Sequence, residues 1–232
     1  MCILTFVHFF LIDIFSPIIL ECHIHDLWYK MFKGIIENVG TVTQIDNIKG
    51  CDKRITIEPT NHNFLSETTI GDSIGCSGIC LSVVELNNRC FFVDVSNATL
   101  SITSAAYWKE GTKINLEPAL RITDRIDGHF VQGHVDGIGK IISITNVNSS
   151  YNMEFYIPDS LLKYMIIKGS IAIDGVSLTI NSISNEILSV NIIPHTWKNT
   201  TFQYNKVNDT INIEVDMLAK HLERLYKYNI KI

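Results

Sequence analysis

The sequence lacks an excess of positive charge. Its 19 Lys and Arg residues are outnumbered by 24 Asp and Glu residues, which gives a net charge of -5 and an isoelectric point near 5.9. Proteins that bind nucleic acid usually present a basic patch or stripe to the phosphate backbone. We therefore expect no nucleic-acid partner and a small molecule as the ligand.

Motifs that hold common cofactors are also missing. The chain has no P-loop, no dinucleotide fingerprint and no metal triad. Its six cysteines are unevenly placed without a CxxC pair, which speaks against a zinc site or a disulfide framework and favours a reducing cytoplasm. His129 and His134 lie five residues apart, which on a strand places them on opposite faces. We predict neither a metal nor an organic cofactor.

The first thirty residues match no targeting pattern, although residues 3–20 are nearly all apolar. Asp13 and Pro17 interrupt that run, and no basic residue precedes it. A membrane helix needs about 20 uninterrupted apolar residues, and a signal peptide needs a positive start and a small-residue cleavage site. We interpret residues 1–30 as an upstream extension of a protein that starts at Met31, with membrane attachment through this segment as the alternative.

The rest of the chain has the composition of a globular β protein. Hydrophobic residues make up 46% and charged residues 19%. β-branched residues occur in short runs such as RITI at 54–57 and INIEV at 211–215. Turn clusters such as NN at 87–88 and ND at 208–209 separate these runs. This spacing predicts short strands in a small barrel or sandwich.

An internal repeat appears when the chain is shifted by 97 residues against itself. The aligned pairs include Ser73 with Ser170, Gly78 with Gly175, Leu81 with Leu178, Thr99 with Thr196 and Glu117 with Glu214. Roughly a dozen identities fall in about forty ungapped positions, and the period is the length of one small domain. We predict an all-β fold of two tandem, similar six-stranded antiparallel barrels, because closing a sheet removes its exposed edges.

The C-terminal tail breaks the β pattern. Leu218, Leu222 and Leu225 are spaced i, i+4, i+7, and Asp216 stands where an N-cap is needed. We predict an α-helix with one apolar stripe. The stripe either packs on its own barrel or serves oligomerisation.

Four motifs resemble those of riboflavin synthase. They are MFKGIIE at residues 31–37, GHFVQGHVD at 128–136, DGVSLT at 174–179 and IPHT at 193–196. They occur in the order of that family, and the resemblance covers nearly the whole chain after the extension.

The resemblance implies a fold, an assembly and a reaction. It implies two Greek-key barrels, a C-terminal helix and a homotrimer whose active sites form between the N-barrel of one subunit and the C-barrel of its neighbour. The reaction is the last step of riboflavin biosynthesis, a transfer of a four-carbon unit between two molecules of 6,7-dimethyl-8-ribityllumazine without a cofactor. Its products are riboflavin and 5-amino-6-(D-ribitylamino)uracil. The expected divisions are an extension at 1–30, lumazine-binding barrels at 31–128 and 129–215, and an oligomerisation helix at 216–232.

By the same resemblance, the catalytic candidates in the second copy are His134, Ser177 and Asp216, with Thr179 beside them. Histidine is the natural proton shuttle because its pKa lies near neutrality. The alternative for His134 is a residue held by backbone contacts in a Gly-rich turn.

The first copy offers different groups, since Cys80 and Ser82 stand where the second copy has Ser177 and Thr179. This asymmetry predicts that one barrel holds the acceptor lumazine and the other the donor, with Cys80 as nucleophile or pocket wall. The alternative is an inert buried thiol. Ser77 and Ser82 also depart from the family pattern. These departures bear on the ligand affinity of the first-copy site more than on the chemistry of the second-copy site.

The resemblance predicts a larger set of substrate contacts. Thr99 and Thr196 would hydrogen-bond the pteridine edge, and Lys168 would contact the ribityl chain. The predicted substrate-binding residues are Phe32, Gly34, Ile35, Ile36, Ser73, Cys80, Leu81, Ser82, Asp94, Thr99, Gly133, His134, Val135, Lys168, Ser177, Leu178, Thr179, Ile192, Ile193, Pro194, His195, Thr196 and Trp197. The rival function is a non-catalytic lumazine- or flavin-binding protein on the same duplicated fold.

Overall fold

A computed structural model of the protein describes residues 31–228, which form two closed β-barrels followed by a helix. The expected extension at residues 1–30 lies outside the described residues. Both barrels are closed sheets of six strands, and all of their strand pairs are antiparallel. The prediction of two tandem six-stranded antiparallel barrels is confirmed.

The first barrel places its strands in the order β1-β2-β5-β4-β3-β6. The strands are β1 (Asn38–Asn47), β2 (Lys53–Pro59), β3 (Ser73–Cys76), β4 (Ile79–Leu86), β5 (Phe91–Val95) and β6 (Lys113–Pro118), and the short helix α1 (Asn97–Ile102) follows β5. Strands β3, β4 and β5 form consecutive hairpins, and β6 returns to lie beside β3. This arrangement is a Greek key.

The second barrel repeats this topology. Its elements are β7 (Gly137–Val147), β8 (Ser150–Tyr156), α2 (Asp159–Leu162), β9 (Ser170–Ile173), β10 (Val176–Ser184), β11 (Ile187–Ile192), α3 (Pro194–Asn199) and β12 (Thr210–Val215), followed by the C-terminal helix α4 (Met217–Lys227). The closed order is β7-β8-β11-β10-β9-β12, which is the order of the first barrel strand for strand.

Each barrel is filled by the inward-facing residues of its strands. On β4, Leu81 and Val83 are buried in the first core, and on β10, Leu178 and Ile180 are buried in the second. Alternate residues of a strand point to opposite faces, so the residues between them face outward. The outer faces of β4 and β10 therefore carry the polar groups that the motifs singled out.

Two asparagines join the barrels through their side-chain amides. The Nδ2 atom of Asn115 donates to Asp174 O at 2.9 Å, and that of Asn212 donates to Ser77 O at 2.8 Å. The Oδ1 atom of each amide accepts a backbone N–H from the other barrel, at 2.8 and 2.7 Å respectively. Because the four bonds are reciprocal, they relate the two barrels by an approximate twofold axis.

Helix α4 begins as the sequence predicts, because the backbone N–H of Leu218 donates to the Asp216 N-cap carboxylate at 2.9 Å. None of its residues is buried, and Leu218 and Leu222 are each 60% exposed. Two of the three leucines of the apolar stripe are therefore largely exposed in the single chain, while Leu225 is partly buried. No helix within residues 31–228 has the length and apolar character to cross a membrane.

Candidate active site

The segments that precede β1 and β7 cross over to the opposite barrel. We call residues 31–37 the first lead segment and residues 130–136 the second lead segment. They meet at an antiparallel bridge, where Phe32 N donates to Val131 O at 2.7 Å and Val131 N donates to Phe32 O at 3.0 Å. Beyond this bridge Ile36 packs against the core of the second barrel, and Val135 against the core of the first.

The second lead segment lies on the first barrel at Cys80. The backbone N–H of Cys80 donates to Gly133 O at 2.9 Å. A Cβ atom at Gly133 would lie 2.6 Å from the Cβ atom of Cys80, and Gly133 has a φ of +75°. Glycine is therefore required here both by its backbone conformation and by the close approach. The next residue, His134, has an exposed side chain, and Ser82 is exposed on the same face of β4 as Cys80.

The first lead segment makes the equivalent contact with Ser177 on the second barrel. Ser177 N donates to Gly34 O at 2.8 Å, and Gly34 has the same φ of +75°. The Nδ1 atom of His129 lies 2.7 Å from Ser177 Oγ. Thr179 is exposed on the same face of β10. Each candidate site therefore combines one barrel with the lead segment of the other copy.

His134 was grouped with Ser177, Thr179 and Asp216, but within one chain it lies on a different lead segment from the one that contacts Ser177. Because the lead segments cross, His134 belongs with Cys80, and the histidine at Ser177 is His129. Burial lowers the pKa of His129, and the charge of Asp216 opposes this shift. His129 lies in the motif at 128–136, but its partnership with Ser177 does not follow from the sequence, because the two residues are 48 positions apart.

Two buried glutamates hold the lead segments. Glu117 accepts backbone N–H bonds from Lys33 at 2.9 Å and Gly34 at 3.1 Å, and Glu214 binds the second lead segment in the same way. Burial raises the pKa of each glutamate to about 7, while the backbone donors oppose the rise. The repeat aligned these two residues, but their role as anchors could not be inferred from the sequence.

The IPHT motif forms an exposed edge at the start of α3. Ile193, Pro194 and His195 are exposed, and Thr196 is partly buried. The ring of Trp197 stacks on Tyr151 with a centroid separation of 3.7 Å. The second barrel therefore presents an aromatic wall beside this edge.

The first barrel has charged groups at the equivalent place. Arg54 aligns with Tyr151 in the repeat, and its guanidinium binds the Asp94 carboxylate twice, at 2.7 and 2.9 Å. The Oγ1 atom of Thr99 lies 3.0 Å from Ser96 Oγ. Asp94 is thus paired within its own barrel.

Several of the predicted contacts have side chains that are buried within the single chain. Apolar side chains on the inner faces of the strands fill the cores, and the aromatic ring of Phe32 packs between the barrels at 1% exposure. The buried side chains among the predicted contacts are Phe32, Ser73, Leu81, Leu178 and Ile192. By contrast, Ile35 and Lys168 are exposed.

Two grooves of about 500 and 580 Å³ occupy equivalent places on the two barrels. The first is lined in part by Ser73, whose buried Oγ atom has no hydrogen-bond partner among residues 31–228. The second is lined in part by the aligned Ser170 together with Asp216. Within residues 31–228 no three His, Cys, Asp or Glu side chains are grouped to hold a metal ion.

Comparison with known proteins agrees with the duplicated fold. A family model described as the lumazine binding domain matches residues 33–119 and again residues 132–216. The chain is 40% identical over 195 residues to the riboflavin synthase of Photobacterium phosphoreum, covering 84% of this chain and 88% of that protein. The chain belongs to the riboflavin synthase family. It is also 38% identical to the riboflavin synthase of Bacillus subtilis (strain 168) over 86% of this chain and 92% of that protein.

Solved structures share the fold at lower sequence identity. The structure of LumP complexed with 6,7-dimethyl-8-(1'-D-ribityl) lumazine matches with a TM-score of 0.72, and that of LumP complexed with riboflavin with a TM-score of 0.74. Each is 23% identical and covers 79% of this chain and 98% of LumP. The two regions that match the family model begin inside the two lead segments, so each lumazine binding domain includes the segment that crosses to the other barrel.

Proposed function

We propose that the protein is a riboflavin synthase, which converts two molecules of 6,7-dimethyl-8-ribityllumazine into riboflavin and 5-amino-6-(D-ribitylamino)uracil. The observation that carries this proposal is the pair of equivalent but unequal composite sites at Cys80 and Ser177, in a chain about 40% identical to riboflavin synthases over most of its length. Two like sites suit a reaction between two identical substrates, because much of the barrier is lowered by orientation.

The reaction requires proton transfers that side chains of this chain can perform. A proton leaves the C7 methyl group of one lumazine, and the resulting carbanion attacks the ring of the other. A second C–C bond then forms between the two rings, and the four-carbon unit leaves its donor as two C–N bonds break and protons reach the two nitrogens. We assign the first-barrel proton shuttle to His134, whose exposed imidazole follows the glycine that lies on Cys80. At the second barrel, Ser177 Oγ and His129 form a hydrogen-bonded pair that can orient a substrate polar group.

The difference between Cys80 and Ser177 gives the two sites separate roles in this proposal. A thiol is a better nucleophile and a weaker hydrogen-bond donor than a hydroxyl. One barrel would therefore hold the lumazine that donates four carbons and the other the lumazine that accepts them. The two sites also differ in their surroundings. The second barrel has the aromatic wall of Tyr151 and Trp197, and the first has the charged pair of Arg54 and Asp94.

We also propose a homotrimer in which sites on neighbouring chains face each other. The 60% exposure of Leu218 and Leu222 on α4 supports a contact with another copy, because such a stripe is normally covered. A cytoplasmic location is supported by Cys51 and Cys76, neither of which forms a disulfide with another cysteine of residues 31–228.

The alternative function is a non-catalytic lumazine-binding protein, which the fold shared with LumP favours. Incubating the purified protein with 6,7-dimethyl-8-ribityllumazine and no added cofactor separates the two functions. The proposal predicts that riboflavin absorbance appears, with one uracil product for each riboflavin. Lumazine binding without riboflavin formation would support the alternative and overturn the proposal.

A further inference from the structure

The carboxylate of Glu214 anchors three successive backbone N–H groups of the second lead segment. Its Oε1 atom accepts from Gln132 N at 2.6 Å, and its Oε2 atom accepts from Gly133 N at 2.9 Å and His134 N at 3.1 Å. Three hydrogen bonds from successive N–H groups to one side chain leave this backbone stretch little freedom to move. The backbone that carries His134 is therefore fixed to the second barrel.

The same short stretch of backbone is held from its other side by the first barrel. Gly133 donates its N–H to Glu214 and accepts the N–H of Cys80 at its carbonyl oxygen. The peptide between Gly133 and His134 is thus held on both sides, because its carbonyl oxygen accepts from Cys80 N and its N–H donates to Glu214. A shift of the Glu214 carboxylate would therefore move His134 relative to Cys80.

Helix α4 adds a second connection to this segment. Lys220 Nζ lies 3.0 and 3.2 Å from the two carboxylate oxygens of Asp136, and Asp136 Oδ2 also accepts Val215 N at 2.9 Å. In the first lead segment the acidic residue at the equivalent place, Glu37, instead pairs with Lys33 of the same segment at 3.2 Å. The helix is thereby linked to the lead segment that serves the Cys80 site.

We propose that Glu214 is a positioning residue for His134 at the Cys80 site, and that Asp136 and Lys220 extend this anchor to α4. The inference rests on the proposed synthase function and deepens it. Glu214 does not touch the substrate in this account. It acts by holding the backbone from which the His134 imidazole reaches the reacting lumazine.

Amide hydrogen exchange tests the anchor without reference to activity. Glu214→Gln keeps the side-chain size, but an amide has a single acceptor oxygen and turns an NH₂ group towards backbone donors. We expect exchange in residues 130–136 to accelerate at least tenfold while residues 31–37 stay unchanged. The matched variant Glu117→Gln should instead accelerate exchange in residues 31–37 and leave residues 130–136 unchanged. Unchanged exchange in residues 130–136 would overturn the proposal.

Steady-state kinetics tests the consequence for the site. For E214Q we expect kcat per folded molecule to fall at least tenfold with KM within threefold of wild type, since positioning acts on the chemical step. The control E154Q changes a glutamate bonded to Ser143 on the second barrel and should leave kcat unchanged. Faster exchange in residues 130–136 with an unchanged kcat would contradict the positioning role.

A milder variant keeps the proposal testable if E214Q does not fold. Lys220→Met removes the contact with Asp136 from the partly exposed surface of α4, and we expect a fall in kcat of about threefold with faster exchange in residues 130–136. Wild-type kcat and exchange in this variant would overturn the link to α4. Absence of riboflavin formation by the wild-type protein would instead refute the proposed function, so the two failures are distinguishable.

Discussion

His134 and His129 have different surroundings, although they are five residues apart. His134 is exposed and follows the glycine that contacts Cys80, whereas His129 is largely buried beside Ser177. Burial favours the neutral imidazole of His129, which suits a fixed hydrogen-bond partner better than a group that exchanges protons with the substrate. The exposed histidine is therefore the better candidate for the proton shuttle.

Replacing His134 by glutamine should lower turnover more than affinity. An amide keeps hydrogen-bonding capacity but cannot carry a proton near neutral pH, so we expect kcat to fall at least about tenfold and lumazine affinity to change less than about threefold. Steady-state kinetics and a fluorescence binding titration measure the two quantities. His62→Gln, at an exposed histidine that pairs with Glu58, is the control. Unchanged turnover would remove His134 from the catalytic candidates.

Asp174 should make stability fall as the pH rises. Burial raises the pKa of its carboxyl to about 7, above the value in the unfolded chain, so its contribution is present below about pH 4 and is lost as the pH rises through 7. The variant Asp174→Asn should therefore gain stability relative to wild type between pH 4 and pH 8, by more than about 1 kcal/mol. Urea unfolding across this range checks the gain, with the exposed Asp159→Asn as control. A difference in the free energy of unfolding between D174N and wild type that stays constant across this pH range would contradict the prediction.

The lead segments show what can be predicted about elements from the sequence. The motifs at 31–37 and 128–136 were identified, and the repeat aligned Cys80 with Ser177. The pairing of the two lead segments was not predicted, because the bridge between Phe32 and Val131 joins residues about a hundred positions apart. Local patterns reveal strands and turns, whereas a crossing of two segments depends on long-range contacts.

Gly133→Ala should displace the second lead segment and destabilise the protein. The new Cβ atom would meet Cys80 Cβ at 2.6 Å and Cys80 N at 2.8 Å, and alanine is strained at a φ of +75°. We expect a loss of about 3 kcal/mol in the free energy of unfolding. Gly111→Ala is the control, since its φ is +87° with no atom within 4 Å, and it should cost only about 1 kcal/mol. Equal losses for G133A and G111A would argue against the close contact.

The whole molecule is a pair of barrels joined by reciprocal contacts about an approximate twofold axis. The duplication and the two barrels were predicted from the repeat and from the short β-branched runs separated by turn clusters. Asn115 and Asn212 were aligned by the same repeat, but nothing in the sequence showed that their amides join the barrels. From the sequence alone, an asparagine that joins the barrels cannot be distinguished from any other strand asparagine, because its partner carbonyl and N–H belong to the other barrel.

Asn212→Ala should weaken the contact between the barrels. It would leave Ser77 O and Ser104 N buried without their side-chain partner, and each such group costs about 1–3 kcal/mol. We expect the free energy of unfolding to drop by about 3 kcal/mol in chemical denaturation. The control Asn146→Ala, at an exposed position of β7, should stay within about 0.5 kcal/mol of wild type. A similarly small change for N212A would contradict the reciprocal contact.

Calorimetric titration with an unreactive ribityllumazine analogue that lacks the C7 methyl group tests the central claim of two unequal composite sites. The account predicts two analogue molecules bound per chain with different affinities, of which Cys80→Ala changes one and Ser177→Ala the other. A single site per chain, affected equally by both substitutions, would contradict it.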